Sequence, residues 1–310
     1  MATLRIGSRS IELSNEDKPL FPDAGLTKGE VIDYYRDMAE AILRHGADRV
    51  ITMQRFPDGI GKKGFIQQAR ADYFPDWIKG ARLERVGEKG GKVEHVVLRH
   101  QADIVYLANQ AVITFHGWLS RMKKVSRPDR LIFDLDPPHG DDFDAVVSGA
   151  RRVRDLMKQL GMTPYVMTTG SRGVHVVAPL DAGAEFDDVR DFARAMADRL
   201  AARFPNELTV AQRKNKRRGR LYLDVMRNSW GQTAVLPYSL RAKPGAPVAA
   251  PLDWSELGRV GPQSYHLGNV RRRLGAKDDP WADIDRHRCG LGPAREKLEK
   301  LAKKEEKNDD

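Results

Sequence analysis

Leu131-Ile-Phe-Asp-Leu-Asp-Pro-Pro-His-Gly140 has the clearest local pattern in this sequence. Apolar residues at 131, 133 and 135 alternate with positions 132, 134 and 136, which predicts a β-strand with both acids on one face. The prolines that follow cannot extend an interior strand, so the acids lie where the strand ends. Two carboxylates about 6–7 Å apart on one strand face could bind divalent cations, which prefer oxygen ligands. Solvated acids at an ordinary strand end are the alternative.

The composition is that of a globular protein. The chain has 310 residues, of which 41% are hydrophobic and 31% charged, enough to bury a large core. No apolar run approaches the ~20 residues needed to cross a bilayer, and the N-terminus lacks the apolar segment of a signal peptide. Cys289 is the only cysteine, which excludes a disulfide framework and a cysteine-based zinc module. These features predict a cytoplasmic protein with no membrane partner.

The charge of the chain predicts a polyanionic partner. The net charge is +10, and the pI is about 9.6. Arg213-Lys-Asn-Lys-Arg-Arg-Gly-Arg220 places six basic residues among eight, and Arg271-Arg-Arg273 forms a second cluster. The first run has no acids and precedes a predicted strand, which favours contacts with phosphates over a solvated helix face.

Two lysines lie near the start of the first long helix. Thr27-Lys-Gly-Glu30 is a capping box, and the helix that it begins runs to about His45. Lys28 is in the first turn, where free backbone N–H groups and the helix dipole favour an anion, and Lys18 precedes it. The alternative is a pair of exposed lysines without a ligand.

Two ring side chains are further candidates for ligand contacts. Phe65 follows Gly61-Lys-Lys-Gly64, and an exposed aromatic beside lysines can stack on a base, whereas a buried one would belong to the core. His116 ends a predicted strand and is either a ligand contact or a structural histidine.

Asp224 is the third acid of interest. It lies between Leu223 and Val225 in a predicted strand from Leu221, and an ionised carboxylate is costly to bury without a partner. If this strand neighbours the central one, Asp224 joins Asp134 and Asp136 in a cage for two divalent ions. That arrangement is used for phosphoryl transfer.

Gly170-Ser-Arg-Gly173 predicts a tight turn between two strands. The glycines allow a phosphate to approach the backbone, and Ser171, Arg172 and His175 can donate hydrogen bonds to it. Arg241 is a further candidate phosphate ligand. A simple hairpin with a structural histidine is the alternative.

In this order the motifs resemble a known family. Phe133-Asp-Leu-Asp-Pro137, Ser171-Arg-Gly-Val-His175 and Leu223-Asp-Val225 are similar to the signature of archaeo-eukaryotic primase-type polymerases. They are most similar to the polymerase domain of bacterial ligase D, which acts in non-homologous end joining. Further segments match in the same order from about Ile11 to Leu257: Asn15-Glu-Asp-Lys18, Arg55-Phe-Pro-Asp-Gly59, Ser126-Arg-Pro-Asp-Arg130, Pro237-Tyr-Ser-Leu-Arg241 and Ala249-Ala-Pro-Leu-Asp-Trp254.

The resemblance implies a fold and an activity. The fold is an α+β primase-polymerase fold whose RNA-recognition-motif-like palm has two antiparallel sheets, flanking helices and a cleft between them. The activity is that of a template-directed nucleotidyltransferase, a DNA or RNA polymerase that extends primer ends and fills gaps with NTPs or dNTPs during double-strand break repair. The cofactors would be two divalent ions, Mn²⁺ or Mg²⁺. The partners would be DNA ends, gapped or primer–template DNA, Ku and a DNA ligase. The protein would act in the bacterial cytoplasm, associated with the nucleoid.

The resemblance also assigns roles to residues. The family's catalytic, metal-binding acids match Asp134, Asp136 and Asp224. Its nucleotide-binding residues match Ser171, Arg172, Gly173, His175 and Arg241, with His116 as an added candidate. Its pocket for a DNA 5′-phosphate matches Asn15, Lys18 and Lys28, and its template-stacking aromatic matches Phe65. Arg172 stands where some members carry Lys, and its planar fork changes the geometry of phosphate binding.

Residues 1–295 are expected to form the polymerase domain and residues 296–310 a charged C-terminal tail. The Lys-x-Asp-Gly motif of ligases and a nuclease domain are both missing, so the chain is a stand-alone polymerase or one domain of a longer protein. Two alternatives remain open at this point. One is a haloacid-dehalogenase-type phosphatase, in which the first acid of Asp-x-Asp is a nucleophile. The other is a non-catalytic DNA-end-binding module.

Overall fold

The computed structural model describes residues 2–84, 90–139 and 142–309. The glycine-rich sequence Gly87-Glu-Lys-Gly-Gly-Lys92 predicts a hairpin tip between two strands, and its residues 87–89 lie outside these ranges. The strands are β1 Thr3–Ile6, β2 Arg9–Glu12, β3 Pro19–Phe21, β4 Leu26–Thr27, β5 Ile51–Arg55, β6 Phe65–Gln67, β7 Gly80–Glu84, β8 Lys92–Val96, β9 Val112–Trp118, β10 Arg130–Leu135, β11 Tyr165–Thr168, β12 Val174–Pro179, β13 Leu208–Thr209, β14 Leu221–Tyr222, β15 Thr233–Val235 and β16 Pro251–Leu252. The helices are α1 Lys28–Gly46, α2 Gln101–Asn109, α3 Phe143–Gln159, α4 Phe186–Arg203, α5 Lys214–Arg217, α6 Val270–Ala276 and α7 Leu291–Asp309.

Two four-stranded antiparallel sheets form the centre of the molecule. The first sheet has the order β15-β9-β5-β6, and the second has the order β10-β12-β11-β16. Two-stranded pairs surround them, of which β13–β14 is parallel. This architecture matches the expected α+β class with two antiparallel sheets and outer helices.

The second sheet has two different faces because its strands alternate. Phe133 and Leu135 of β10 and Val176 of β12 are buried in a cluster with side chains of α3, α4 and α7. Ile132 and Val177 point the other way, into a smaller apolar cluster with Ala234 and Val235 of β15, the edge strand of the first sheet. On this inner face Asp134 and His175 follow Ile132 and precede Val177, so the apolar contact between the sheets ends at polar residues.

Pro237–Arg241, which we call the strap, joins the two sheets. The Ser239 hydroxyl accepts a hydrogen bond from Phe115 N of β9 at 2.8 Å, and Leu240 N donates to the Tyr35 hydroxyl of α1. On its other side, Tyr238 N donates to Ala249 O at 2.7 Å, and the adjacent Ala250 exchanges backbone bonds with Thr168 of β11. Because these groups are buried, the strap fixes one sheet relative to the other.

The C-terminal helix is anchored by its apolar residues. Leu291, Ala294 and Leu298 are buried against the helical side of the second sheet. Helix α7 runs through the expected boundary between the domain, residues 1–295, and the charged tail, residues 296–310. No helix in the described ranges combines the length and apolar character needed to cross a membrane.

Candidate active site

Asp134 and His175 face each other across β10 and β12. Their Cα positions are paired in the antiparallel register, so both side chains leave the sheet on the same face. His175 Nε2 lies 3.4 Å from Asp134 Oδ1, and both side chains are largely buried. The motif around Asp134 and the turn before His175 thus meet at one point on the inner face.

Asp224 lies beside Asp134 on the free edge of β10. Asp134 N donates to Asp224 O at 2.9 Å, and the two residues form an isolated antiparallel bridge. The predicted strand is shorter than expected, because β14 ends at Tyr222. The Asn228 side chain continues the pairing instead: its Oδ1 accepts from Ile132 N and its Nδ2 donates to Ile132 O. The sequence pattern gave no indication of this side-chain substitute for a strand.

The environments of the two acids shift their pKa values in opposite directions. Burial would raise the pKa of Asp134, but His175 and Arg227 outweigh it and hold that pKa well below the usual range. Burial, aided by the nearby Asp134 carboxylate, raises the pKa of Asp224. Asp224 Oδ1 accepts a hydrogen bond from Met226 N at 2.9 Å, which partly opposes that rise.

The turn between β11 and β12 fits tightly against the end of β10. A Cβ on Gly173 would lie 1.9 Å from Leu135 O, so only glycine allows this approach. Gly170 has φ +62°, and a Cβ there would contact the Val248 backbone and the Arg241 side chain. The turn is therefore held against both the acid-bearing strand and Arg241, as a cradle for an anion requires.

Besides His175, four cationic or imidazole side chains lie around the acids. Arg227 Nε lies 3.1 Å from Asp134 Oδ2, and Arg172 Nη2 lies 3.3 Å from Asp136 Oδ2. Arg241 Nη1 donates to Thr169 O at 2.9 Å, and burial lowers the pKa of this guanidinium. Burial, with the nearby Arg241 and Arg227, lowers the pKa of His116 to about 3, so its imidazole is neutral at physiological pH.

Most of these groups, but not Arg172, line one polar cavity of about 90 Å³ in the cleft between the sheets. Its predicted members are His116, Asp134, Asp136, Ser171, His175 and Arg241. The sequence reasoning missed Arg227, Thr169 and Thr233. Thr169 directly precedes the predicted turn and could have been included with it. Arg227 belongs to no recognisable sequence motif, and only the fold brings it to Asp134. Asp224 adjoins this cavity through its bridge to Asp134 but is not part of the lining.

Lys18 and Lys28 form a separate basic cluster. Lys28 is buried, and its Nζ donates to Ser14 O and Oγ; burial and the nearby Lys18 lower its pKa. Lys18 Nζ pairs with Asp58 at 2.6 Å, and Asn15 adopts φ +52°. The expectation of free N–H groups at the start of α1 is wrong, because Lys28 N donates to Lys18 O and Gly29 N to Glu16 O.

The two basic runs have different surroundings. The Arg213–Arg220 run lies near the acids: Arg217 stacks on Tyr222 at 4.3 Å, and a Cβ on Gly219 would lie 3.3 Å from His139. In the second run, Arg271 pairs with Asp37 and Arg273 with Glu256. Two of the three arginines in the second cluster are therefore paired with acids of the protein itself.

A family model described as "LigD, primase-polymerase domain" matches residues 27–281. The chain belongs to this family. The multifunctional non-homologous end joining protein LigD of Mycobacterium bovis is 32% identical over 285 residues, which are 89% of this chain and 37% of that protein. The bifunctional non-homologous end joining protein LigD of Bacillus subtilis is 29% identical over 279 residues, which are 89% of this chain and 44% of that protein. The chain thus spans less than half the length of these relatives.

A solved structure of the LigD primase-polymerase family has the same architecture. The polymerase domain of Mycobacterium tuberculosis ligase D, in complex with DNA, aligns with a TM-score of 0.83 at 30% identity, covering 90% of this chain and 99% of that one. The predicted family and fold class are confirmed, and the chain is a nucleotidyltransferase-type polymerase. The phosphatase and the non-catalytic module, left open by the sequence, are wrong.

The LigD family implies dependence on divalent metal ions. Within the ranges that the structure describes, no group of three or more His, Cys, Asp or Glu side chains is arranged to hold a metal ion. The donor chemistry nevertheless fits a hard cation, because Asp134, Asp136 and Asp224 supply carboxylate oxygens. Asp134 and Asp136 are now contacted by Arg227 and Arg172, so these acids already attract positive charge. An ion bound here would displace or share those contacts.

Proposed function

We propose that this protein adds nucleotides to primer ends and fills gaps, directed by a template, during double-strand break repair by non-homologous end joining. The observation that carries the proposal is the bridge between Asp134 and Asp224, beside His175 and the cavity. It brings acids from distant parts of the chain next to the Gly170–Gly173 turn, which would bind an anion. The repair setting follows from the names of the relatives, which are end-joining proteins.

The three acids would hold two divalent ions, Mn²⁺ or Mg²⁺. Bound ions would lower the pKa of the primer 3′-hydroxyl and neutralise charge on the phosphates. Asp134 supports this role because His175 and Arg227 hold its pKa low, and a bound cation would lower the raised pKa of Asp224. The Asp134 bridge to Asp224 keeps their side chains on one face.

The cavity would hold the triphosphate of an incoming NTP or dNTP. Arg241, bonded to Thr169 O, supplies fixed positive charge there and Arg227 adds a second cation, while Ser171 and the backbone of the turn supply hydrogen-bond donors. Glycine at position 173 lets that backbone approach the acids. Neutral His116 would donate or accept one hydrogen bond without adding charge. These residues act by positioning the phosphates for in-line attack.

The DNA would extend from the cleft towards Asn15, Lys18 and Lys28, which would bind the 5′-phosphate of a downstream strand. Lys18 would exchange Asp58 for that phosphate, and the buried Lys28 would add positive charge behind it. The Arg213–Arg220 run would contact the DNA backbone near the acids. We further propose Ku and a DNA ligase as partners, in the bacterial cytoplasm at the nucleoid.

Extension of a labelled primer on a gapped duplex tests this function. NTPs and dNTPs are compared, each with Mn²⁺ and with Mg²⁺, and each on a duplex with or without the downstream 5′-phosphate. The expected result is extension by nucleotides complementary to the template, in the presence of a divalent ion. Absence of extension under every combination would contradict the proposed function.

Titration of the same duplexes with Lys18→Ala tests the site of the 5′-phosphate. The variant should weaken binding only of the phosphorylated duplex. Lys123→Ala, which changes an exposed lysine in another part of the surface, is the matched control. Equal losses on both duplexes would make Lys18 a general backbone contact.

A further inference from the structure

The turn between β11 and β12 uses its carbonyl groups inside the protein. Thr169 O accepts a hydrogen bond from Arg241 Nη1 at 2.9 Å, and Gly173 O accepts one from Thr169 N at 3.0 Å. Between them, Ser171 O accepts from the side-chain amide of Gln263, 92 positions further along the chain, at 2.7 Å. Every second carbonyl of the turn is therefore held by a donor of the protein.

The N–H groups in the middle of the same turn are arranged differently. Gly173 N donates to Thr169 Oγ1 at 3.4 Å. Among the residues that the structure describes, the backbone N–H groups of Gly170, Ser171 and Arg172 donate to no protein acceptor. Successive N–H groups of this kind in a turn form a concave site that attracts anions. The turn thus keeps donors available to a ligand while three of its carbonyls are occupied.

The bond from Gln263 decides which way one of these donors points. In a trans peptide, the C=O group and the N–H group of the next residue point in opposite directions. Because Gln263 holds Ser171 O, the N–H of Arg172 in the same peptide points away from Gln263. Rotation of this peptide by half a turn would exchange the two groups and present a carbonyl oxygen where the N–H now points.

The loop that carries Gln263 holds this exposed side chain in place. Gly261 and Ser264 bond to each other twice, Gly261 N to Ser264 Oγ at 2.8 Å and Ser264 N to Gly261 O at 3.2 Å. Beyond them, Tyr265 O accepts a bond from Val248 N at 2.9 Å. Val248 also meets the turn, since a Cβ on the first glycine of the turn would lie 2.8 Å from the Val248 backbone. The loop and the turn are therefore fixed to the same residue.

We propose that Gln263 is a positioning residue for nucleotide binding, which acts by holding the N–H of Arg172 towards the triphosphate. The inference rests on the proposed function, in which the cavity takes the triphosphate of an NTP or dNTP. Ser171 lines that cavity and Gln263 does not, so the amide acts from behind the turn. A donor that is already oriented needs no reorganisation when the charge arrives, whereas a carbonyl oxygen turned towards the phosphates would repel them.

Titration of the full chain with GTP and Mn²⁺, without DNA, tests the inference apart from catalysis. Gln263→Met keeps the length of the side chain but removes the donor, and it should weaken GTP binding by roughly 3- to 10-fold. Gln263→Glu should weaken it further, because a carboxylate only accepts hydrogen bonds and would draw the Arg172 N–H towards itself. Gln67→Met is the matched control. It removes another exposed bond from a glutamine amide to a carbonyl, at 2.8 Å to Ala69 O next to β6, and should bind GTP like the natural protein.

Nuclear magnetic resonance follows the Arg172 N–H itself. Labelling with carbonyl-¹³C serine and ¹⁵N arginine selects the Ser–Arg peptide bonds, of which the sequence has four, and Arg172→Lys assigns the signal. In the natural protein the Arg172 amide proton should move downfield when GTP binds, because it then donates to a charged phosphate. In Gln263→Met this movement should be smaller, which a purely structural role of the glutamine would not cause.

Three outcomes would overturn the proposal. One is natural GTP affinity in Gln263→Met. Another is an equal loss in Gln263→Met and Gln67→Met, which would reflect a general loosening of the protein. The third is an Arg172 signal that GTP leaves in place in the natural protein, or moves equally in Gln263→Met. Failure of the proposed function would appear differently, as a natural protein that binds GTP through this N–H but extends no primer.

Discussion

Asp134 and Asp224 share a backbone hydrogen bond of 2.9 Å, although 90 positions (224 − 134) separate them in the chain. The bond fixes the two acids as neighbours through main-chain atoms, so their proximity does not depend on the charge of either side chain. Side-chain substitutions at these positions should therefore change the chemistry of the site without moving the strands.

Asp134→Asn is expected to abolish nucleotide addition, with a loss of at least about 1,000-fold in rate, because it would remove one of the carboxylates proposed to hold the divalent ions, an interaction worth several kcal/mol in the transition state. Affinity for gapped DNA should change less than threefold. Primer extension and DNA titration measure the two effects. Asp283→Asn, at an exposed acid that pairs with Arg286, is the control. Substantial activity in Asp134→Asn would remove this residue from the mechanism.

Arg227→Ala should increase the affinity of the nucleotide-free protein for Mn²⁺ by a few-fold. Arg227 Nε lies 3.1 Å from Asp134 Oδ2, so its cation competes for the same carboxylate, although its 41% exposure limits the pair to about 1 kcal/mol. Electron paramagnetic resonance of free Mn²⁺ measures the binding directly. Arg227→Lys retains the charge and should stay close to the natural protein. Weaker Mn²⁺ binding in Arg227→Ala would show that the arginine assists the ion instead.

Gly173→Ala should destabilise the protein by several kcal/mol and reduce nucleotide affinity. The new methyl group would lie 1.9 Å from Leu135 O and 2.8 Å from Asp136 Oδ1, so the acid-bearing strand or the turn must shift. Urea unfolding and nucleotide titration measure the two effects. Gly275→Ala in α6, where no atom lies within 4 Å, should be neutral or stabilising. If Gly173→Ala kept the natural stability, the turn would have room for a side chain beside Leu135 O, which contradicts this prediction.

Ser239→Ala should cost about 1–3 kcal/mol of stability and also raise the KM for nucleotide. It leaves Phe115 N without its buried acceptor and loosens the strap, whose last residue, Arg241, lines the cavity. Ser120→Ala removes an equally buried hydroxyl that donates to Val125 O at 2.7 Å in a loop that contributes nothing to the cavity lining. It should lower stability without changing KM. The same KM in both variants would deny the strap a positioning role.

His45 should make stability fall as the pH drops below about 6.5. Burial lowers the pKa of His45 in the folded protein, opposed by Asp279, with Arg130 and Arg44 adding to the decrease. The unfolded chain therefore takes up the proton first, and stability is complete above the unfolded pKa and lost below it, by at most about 1.4 kcal/mol per pH unit. His45→Gln should flatten the dependence of melting temperature on pH between 6.5 and 5. An unchanged slope would contradict this assignment.

Local patterns predicted the parts of the site that lie within single elements. Alternation placed Asp134 and Asp136 at the end of β10, the capping box began α1 at Lys28, and the glycine turn preceded β12. Each depends on interactions within a few residues, which a sequence displays directly.

Contacts that depend on tertiary packing could not be predicted in this way. Arg227 reaches Asp134 only because the segment after β14 runs along the edge of β10, and Asn228 there replaces a strand with its side chain. The N–H groups at the start of α1 are taken by residues of the preceding turn. Arg273 is basic in sequence but pairs with Glu256 in space. None of these partners has a fixed spacing in the chain.

The strap fixes the width of the cleft between the two sheets. Spreading it would break the Phe115–Ser239 bond on one side and the Tyr238–Ala249 bond on the other, both away from water. Adaptation to different substrates is therefore left to long side chains at the rim, such as Arg172 and Arg227, which are about half exposed and can swing. The enzyme would accommodate mismatched or irregular ends by moving these arginine side chains while the two sheets keep their relative positions.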